Sequence, residues 1–364
     1  MRVVLATHNT RNRLGVNKYF YLLAEQLARL GVDVQIIVDS MDGALAVLET
    51  CHRPVKVTLL EPTASGGLAT ARYCQNLRTY LLDRSDFDVL HCGHVLPFFY
   101  LHEGHRPVVF QPFGNELFTL AGRGIGRLYC WLAQPILRFC GEYSDVLLTE
   151  GTFQHAEMRR YYPKYFRDGK ALETLPVGVN IGVERKAVYT PNSPFHFLAV
   201  NSLLPYEGMS DLLQAFSVVH DTCCARLVIV GTGIEELKLK EMARQLNIGS
   251  SVEFRKNIPE SELQALYTES DAFISTSYET DVQMGVLEAM ASGLPVLCRE
   301  AAWVPASVVR FRTDGLDLAD KMAAMTSDSA CNRRQVAEKG LEEVRQYSFT
   351  EIAGKALAIY EAVM

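Results

Sequence analysis

Short apolar runs alternate with helical patterns along almost the whole chain, and this alternation constrains the fold more than any other feature. Residues 3–6 have the pattern of a buried strand, residues 18–30 have a helical pattern that ends at Gly31, and residues 32–38 form the next strand. Such an alternation predicts a parallel sheet covered by helices, that is, a doubly wound α/β domain. Further strands are predicted at residues 55–60, 89–92, 108–111 and 146–149.

The alternation pauses near residue 182 and then restarts. Residues 175–181 and 190–194 contain the proline and asparagine residues that are typical of a linker. We therefore predict two domains, residues 1–182 and 183–345. A final helix at 346–364 either closes the second domain or crosses back to the first. In the second half, strands are predicted at 195–200, 225–230 and 252–254, and helices at 210–219, 235–246 and 261–267.

Composition excludes several classes of protein. A 364-residue chain with 48% hydrophobic and 21% charged residues predicts a globular protein with a large core, and no apolar run reaches the length of a membrane span. Nine cysteines without a C-x-x-C spacing predict reduced thiols and a cytoplasmic location. The net charge is +2 over residues 1–182 and −8 over residues 183–364, so neither half has the basic character of a nucleic-acid binder.

The segment from Tyr278 to Leu297 carries the strongest functional signal. An apolar strand at 271–277 leads into an acidic loop, and a helix follows that ends at Gly293. Glu279 and Glu288 thus bracket a loop that enters a helix N-terminus, where free backbone N–H groups favour an anion. Carboxylates accept hydrogen bonds from sugar hydroxyls, and the N–H groups suit phosphate. This combination predicts a sugar-nucleotide site.

Several motifs give the chain a resemblance to glycosyltransferase family four, the retaining transferases of the GT-B fold. Residues 287–296, Leu-Glu-Ala-Met-Ala-Ser-Gly-Leu-Pro-Val, are similar to the signature E-A-M-A-x-G-x-P-V segment of that family. Supporting matches lie at residues 15–16, 176–180, 205–208, 231–233 and 346–350, so the resemblance covers most of the chain. It implies two Rossmann-like domains that face a cleft.

The resemblance implies a hexosyltransferase of carbohydrate biosynthesis. The first domain would bind the acceptor, the second would bind a nucleotide-sugar donor, and the sugar would be transferred in the cleft with retention of configuration. The leaving phosphate would help to deprotonate the acceptor, so that neither a protein nucleophile, a metal nor a cofactor is needed. The acceptor is left open as a glycan, a small molecule or a lipid-linked intermediate.

The resemblance also implies roles for individual residues. Glu288 would bind the ribose hydroxyls, Glu279 would contact the donor sugar, and Gly15 would let the first loop approach the diphosphate. Because the family spacing is E-x7-E and eight residues separate Glu279 from Glu288, either Glu279 or Asp281 takes the sugar-binding position. The base would contact the backbone at Lys256 and Ile258, and the phosphates would face the backbone of Gln283, Met284, Gly285 and Val286.

Three positions depart from the family pattern. Ser202 and Glu207 stand where the family has an Arg and a Lys that neutralise the diphosphate, and Phe113 stands where it has a His. The lost charge could come from Arg255 and Lys256 in the loop near the nucleotide, or from the basic residues around Gly15, namely Arg11, Arg13 and Lys18. Each of these could instead be an ordinary surface residue. A non-catalytic relative that binds a sugar or a partner, and an enzyme with a less charged donor, are therefore kept as alternatives.

The acceptor cleft is predicted from residues near strand ends in the first half. His91 and His94 end one strand, and Asn115 and Glu116 follow a glycine turn after another, together with Phe113. The histidines have no partner at a zinc-site spacing, so no metal site is predicted. Residues 123–131 and 159–167 mix basic and aromatic residues, which suits either peripheral contact with an anionic membrane or core packing with snorkelling arginines.

Overall fold

The computed structural model describes residues 1–8, 16–61, 67–93, 96–113, 126–151, 154–278, 283–301, 304–312 and 315–364. The chain forms two compact units, one of residues 1–178 with 349–364 and the other of residues 179–348. The strands are β1 (Arg2–Ala6), β2 (Asp33–Val38), β3 (Lys56–Leu59), β4 (Val89–Cys92), β5 (Val108–Phe110), β6 (Val146–Thr149), β7 (Leu172–Thr174), β8 (Phe195–Val200), β9 (Ala225–Val230), β10 (Val252–Arg255), β11 (Ala272–Ser275), β12 (Val296–Arg299) and β13 (Val309–Phe311).

Helices connect the strands. In the described parts of the chain they are α1 (Val16–Arg29), α2 (Met41–Thr50), α3 (Gly67–Leu82), α4 (Gly126–Tyr143), α5 (Gln154–Tyr161), α6 (Pro163–Arg167), α7 (Met209–Thr222), α8 (Glu236–Gln245), α9 (Glu260–Glu269), α10 (Met284–Ala291), α11 (Gly315–Ser327), α12 (Ala330–Glu343) and α13 (Phe349–Val363). None of the helices within these residues is long and apolar enough to cross a membrane.

Each unit is built on one parallel sheet. The first has seven strands in the order β3-β2-β1-β4-β5-β6-β7, and the second has six in the order β10-β9-β8-β11-β12-β13. In both sheets the winding direction reverses beside the first strand, at β1/β4 and at β8/β11, and such a reversal opens a crevice at the carboxyl ends of the strands. The prediction of two doubly wound α/β domains is confirmed.

The central strands are buried on both faces, which explains their continuous apolar sequences. In β1 every residue after Arg2 is buried, and all four residues of β11 are buried. Phe197, Phe216 and Ile229 lie at the centre of the second core. Helix α13 packs against α1 in the first unit, and Phe349 at its start lies against Gly178, where a Cβ would come within 2.6 Å of the phenyl ring.

Candidate functional site

The loop after β8 is fixed to the end of β11 by backbone contacts. Gly208 has φ +66°, and a Cβ at this position would lie 2.3 Å from the carbonyl oxygen of Thr276, so no other residue fits without movement. The Tyr278 N–H donates to the carbonyl of Tyr206 at 2.8 Å, and the Thr276 hydroxyl donates to the carbonyl of Glu207 at 2.8 Å. These hydrogen bonds therefore join the loop after β8 to the end of β11 as one assembly, at the position where the winding direction of the sheet reverses.

Glu207 is buried in this assembly. Its side chain accepts a hydrogen bond from the Ser202 hydroxyl, with 2.8 Å between Oγ and Oε1, while Oε2 is buried and has no hydrogen-bond partner among the described residues. Burial raises the pKa of Glu207 to about 7, against the opposing effect of the Ser202 and Ser277 hydroxyls. The structure thus brings together the two positions at which the family resemblance leads one to expect cations, and joins them by a hydrogen bond.

A buried arginine, Arg299, also contacts the end of β11. Arg299, which ends β12, donates from Nε to the carbonyl of Thr276 at 2.9 Å and from Nη2 to Asp211 at 2.7 Å. Its guanidinium carbon lies 4.1 Å from the centre of the Tyr278 ring, and the Tyr278 hydroxyl also donates to Asp211. No local sequence pattern identifies this group of residues. The available signal was an arginine at the end of an otherwise apolar strand.

Helix α10 begins next to the same strands. Gln283 is the residue before its first turn, and its side-chain oxygen accepts a hydrogen bond from Ser275 in β11. A Cβ on Gly285 would lie 3.0 Å from the carbonyl oxygen of Val200 and 3.3 Å from Phe273, so the first turn lies close against β8 and β11. The first N–H groups of a helix have no intrahelical acceptors, which suits an anion beside Met284 and Val286.

Glu288 lies on the same helix and is half-buried. Tyr267 of α9 donates a hydrogen bond from its hydroxyl to Glu288 Oε2 at 2.9 Å. Burial, followed by the nearby Glu288 carboxylate, raises the pKa of the Tyr267 hydroxyl well above its ordinary value, so this group is a permanent donor. The carboxylate is therefore held in one orientation, as a ligand-binding group must be.

The basic residues at the end of β10 and just after it contact acidic side chains. Arg255 bonds to Glu253 and Glu262, at 2.7 and 3.0 Å. Lys256 is exposed, with its Nζ 3.6 Å from Glu236, and Ile258 is half-buried. The prediction that Arg255 or Lys256 supplies the lost positive charge therefore finds no support in these contacts.

In the first unit, His91 lies in the core. Its imidazole is fully buried, with Nε2 at 3.1 Å from Gln111 Oε1 and Nδ1 at 2.6 Å from the Tyr360 hydroxyl. Since the amide oxygen only accepts, Nε2 carries the proton and Nδ1 accepts from Tyr360. Burial lowers the pKa of His91 to about 3. A fully buried ring cannot contact an acceptor, which contradicts the acceptor-cleft role predicted for His91.

Phe113 is likewise a packing residue. Its ring is 7% exposed and lies edge-on to Tyr19 and Phe20, at 5.3 and 5.6 Å between ring centroids. This burial, too, runs against its predicted place in the acceptor cleft, because an apolar ring in the core suits packing better than ligand contact.

A polar group that sequence analysis missed lies at the carboxyl ends of β1 and β2. His8 follows β1, and its Nδ1 pairs with the carboxylate of Asp39, which follows β2. The other ring nitrogen lies 3.2 Å from the Thr70 hydroxyl, and the imidazole stacks on Tyr73. His8 is partly exposed and Asp39 is buried. A single histidine and a single aspartate 31 residues apart carry no sequence signal for this pairing.

Six predicted site residues lie outside the described residues: Gly15, His94, Asn115, Glu116, Glu279 and Asp281. Their roles stay predictions. Among the residues that the structure describes, no group of three or more histidine, cysteine or acidic side chains is arranged to hold a metal ion.

Comparison with known proteins gives two family matches. Residues 15–170 match the family described as "Glycosyl transferase 4-like domain", and residues 181–328 match "Glycosyl transferases group 1". Each match falls within one of the two structural units.

Individual relatives agree with these matches. The chain is 26% identical over 319 residues to a GDP-mannose-dependent alpha-(1-6)-phosphatidylinositol monomannoside mannosyltransferase of Mycolicibacterium smegmatis, covering 80% of this chain and 77% of the relative. It is 23% identical to a D-inositol 3-phosphate glycosyltransferase of Corynebacterium diphtheriae, covering 95% of this chain and 89% of the relative.

Solved structures share the fold. A sucrose-phosphate synthase from Thermosynechococcus elongatus matches with a TM-score of 0.80 and 16% identity, covering 100% of this chain and 98% of that one. Anabaena HepE in complex with UDP-glucose matches with a TM-score of 0.74 and 13% identity, covering 100% of both chains. Together with the two parallel sheets, these matches confirm the predicted GT-B fold.

Proposed function

Because the chain belongs to the family-four glycosyltransferases and is a hexosyltransferase-type enzyme, we propose that it transfers a hexose from a nucleoside-diphosphate donor to a hydroxyl acceptor with retention of configuration. The observation that carries the proposal is the arrangement at β8/β11, where the first turn of α10 and the oriented carboxylate of Glu288 lie together. Donors of this class occur among the relatives, one of which is named as GDP-mannose-dependent and another solved with UDP-glucose.

In the proposed donor site, different segments of the second unit bind different parts of the nucleotide sugar. Glu288, held by Tyr267, accepts hydrogen bonds from the ribose hydroxyls, and the backbone of Lys256 to Ile258 contacts the base. The N–H groups from Met284 to Val286 face the phosphates, beside Ser202 and Glu207. As the family resemblance implies, Glu279 or Asp281 would bind the donor sugar, and Gly15 would let the first loop approach the diphosphate.

In the proposed reaction the acceptor hydroxyl attacks the anomeric carbon on the face that the leaving phosphate vacates. The bond from the anomeric carbon to the phosphate oxygen breaks, and the departing phosphate takes the acceptor proton. The protein's part is to orient the donor and stabilise the leaving charge. This route uses no protein nucleophile, and we propose that it needs neither a metal nor a cofactor.

The acceptor is proposed to bind the first unit. His8, with its ring oriented by Asp39, lies at the carboxyl edge of that sheet, where α/β folds bind ligands, and joins His94, Asn115 and Glu116 as a candidate contact. A glycan, a small molecule or a lipid-linked intermediate all remain candidates. The relative of M. smegmatis is named for a phosphatidylinositol-linked acceptor, which supports a lipid-linked one and, with it, peripheral membrane contact.

A thermal-shift panel of nucleoside diphosphates and their sugars tests the proposal, because a ligand that binds only the folded protein raises the melting temperature. We expect at least one nucleotide sugar to stabilise the protein, and NMR of the product to show the anomeric configuration of the donor. Glu288→Gln should abolish most of the stabilisation, whereas Glu300→Gln at an exposed position should not. No stabilisation by any nucleotide at millimolar concentration would refute the enzyme in favour of a non-catalytic binding protein.

A second candidate function, an enzyme that takes a less charged donor, is favoured by one observation. The carboxyl of Glu207 replaces a cation beside the phosphate site, and no described basic side chain bonds to it. A donor with a single phosphate would need less positive charge. Nucleoside-monophosphate sugars in the same panel separate the two, since the second candidate predicts that they stabilise the protein more than the diphosphate sugars do.

A further inference from the structure

The carboxyl group of Glu207 combines deep burial with an unused oxygen. The residue is 5% exposed, Oε1 accepts from Ser202, and Oε2 has no partner among the described residues. A buried polar atom without a partner is costly, and native proteins keep such atoms mainly where a ligand or a water satisfies them. The loop that carries Glu207 leaves β8 at the switch point, at the edge of the sheet where a donor is proposed to bind.

Among the described residues, no charged group acts on the carboxyl of Glu207. Asp211 on α7, Arg299 on β12 and Tyr278 after β11 bond to one another. The groups that act on the pKa of Glu207 are burial first, and then the uncharged hydroxyls of Ser202 and Ser277. An isolated carboxyl in such surroundings takes up a proton rather than stay ionised, so its pKa rises to about 7.

We propose that Glu207 binds a phosphate oxygen of the donor as a neutral acid, donating the proton on Oε2, so that donor binding to the ionised enzyme takes up one proton per site. This inference rests on the proposed function. In this binding step one ionised enzyme molecule, one proton and one donor molecule form one complex. No covalent bond is made or broken. In the ionised form the carboxylate would lie against an anion, which costs binding energy, whereas the acid form supplies a hydrogen bond.

Proton uptake fixes the pH dependence of donor affinity. Only the protonated fraction binds well, so the apparent affinity falls with that fraction, and above the pKa it falls about tenfold per pH unit. With a pKa of about 7, the protonated fraction drops about 30-fold between pH 5.5 and pH 8.5. We expect a loss of affinity of that size.

Calorimetric titration with UDP-glucose and with GDP-mannose tests the inference. Sugar esters of a diphosphate are the right probes because, unlike free nucleoside diphosphates, they have no terminal phosphate that titrates in this range. The wild type should lose affinity about 30-fold from pH 5.5 to 8.5, while Glu207→Gln, which keeps a donor but cannot ionise, should change less than about threefold. Glu300→Gln, an exposed acid of the same unit, is the matched control and should follow the wild type.

Proton counting provides a measurement that does not depend on the variant folding. Titrations at pH 7 in two buffers of different ionisation enthalpy should show uptake of about half a proton per bound donor in the wild type. Binding without proton uptake, or an equal pH dependence in Glu207→Gln, would overturn the role of Glu207 and leave the proposed function intact. If neither sugar nucleotide bound at any pH, the proposed function would fail instead.

Discussion

At the scale of single residues, the buried carboxyl of Glu207 makes the stability of the second unit depend on pH. Its pKa is raised from 4.5 to about 7 in the folded state, so its contribution to stability is fully present below pH 4.5 and is lost as the pH rises through 7. A shift of this size corresponds to about 3 kcal/mol. We expect Glu207→Gln to match the wild type in acid and to exceed it by about 3 kcal/mol in the free energy of unfolding near pH 8.5. Urea unfolding across this pH range measures the difference, and parallel curves for the two proteins would contradict it.

The hydrogen bond from Tyr267 to Glu288 should affect donor binding more than turnover. Tyr267→Phe removes the donor 2.9 Å from Oε2, and with it one of the contacts that orient the half-buried carboxylate toward the ribose. A hydrogen bond to a charged group contributes about 1.5 kcal/mol or more, so KM for the donor should rise about tenfold while kcat changes little. Steady-state kinetics give both constants. Tyr143→Phe, at an exposed position, is the control, and an unchanged KM in Tyr267→Phe would remove the proposed ribose contact.

At the scale of elements, Arg299 joins β12, α7 and the end of β11. Because its guanidinium is buried and ion-paired with Asp211, truncation leaves that carboxylate without its cation and removes the donor to the Thr276 carbonyl. We expect Arg299→Ala to lower the free energy of unfolding by about 3 kcal/mol and to weaken donor binding, since Tyr278 leads directly into residues 279–282. Arg312→Ala should cost less than about 1 kcal/mol, because the Arg312 side chain is exposed and lies 3.7 Å from Asp317. Similar losses in both variants, measured by urea unfolding, would argue against an anchoring role.

The elements were predictable from sequence to the extent that a local pattern encodes them. The apolar runs of β1, β8 and β9 and the helix before Gly31 were found within two residues of their bounds. The short edge strands β7 and β13 were missed, because three residues with mixed exposure carry no clear period. The position of Glu288 on α10 followed from its motif. The bond from Tyr267 and the Arg299 cluster did not, since they join residues far apart in sequence and depend on tertiary packing.

At the scale of the whole molecule, the two units carry buried titratable groups of opposite effect. Burial lowers the pKa of His91 in the first unit from 6.5 to about 3, so the neutral ring's contribution to stability is present above pH 6.5 and is lost as the pH falls toward 3. Glu207 in the second unit loses its contribution as the pH rises from 4.5 through 7. Acid therefore lowers the stability of the first unit, whereas base lowers the stability of the second.

Hydrogen exchange followed by mass spectrometry separates these effects, because it reports opening free energies peptide by peptide. After correction for intrinsic exchange rates, peptides of β1 and β4 should lose protection between about pH 7 and pH 5, while those of β8 and β11 should gain it. Glu207→Gln should abolish the gain in the second unit without changing the first. His91→Gln, which cannot be protonated, should reduce the acid loss in the first unit without changing the second. A uniform response of all four strands to pH would show that neither group controls the stability of its unit.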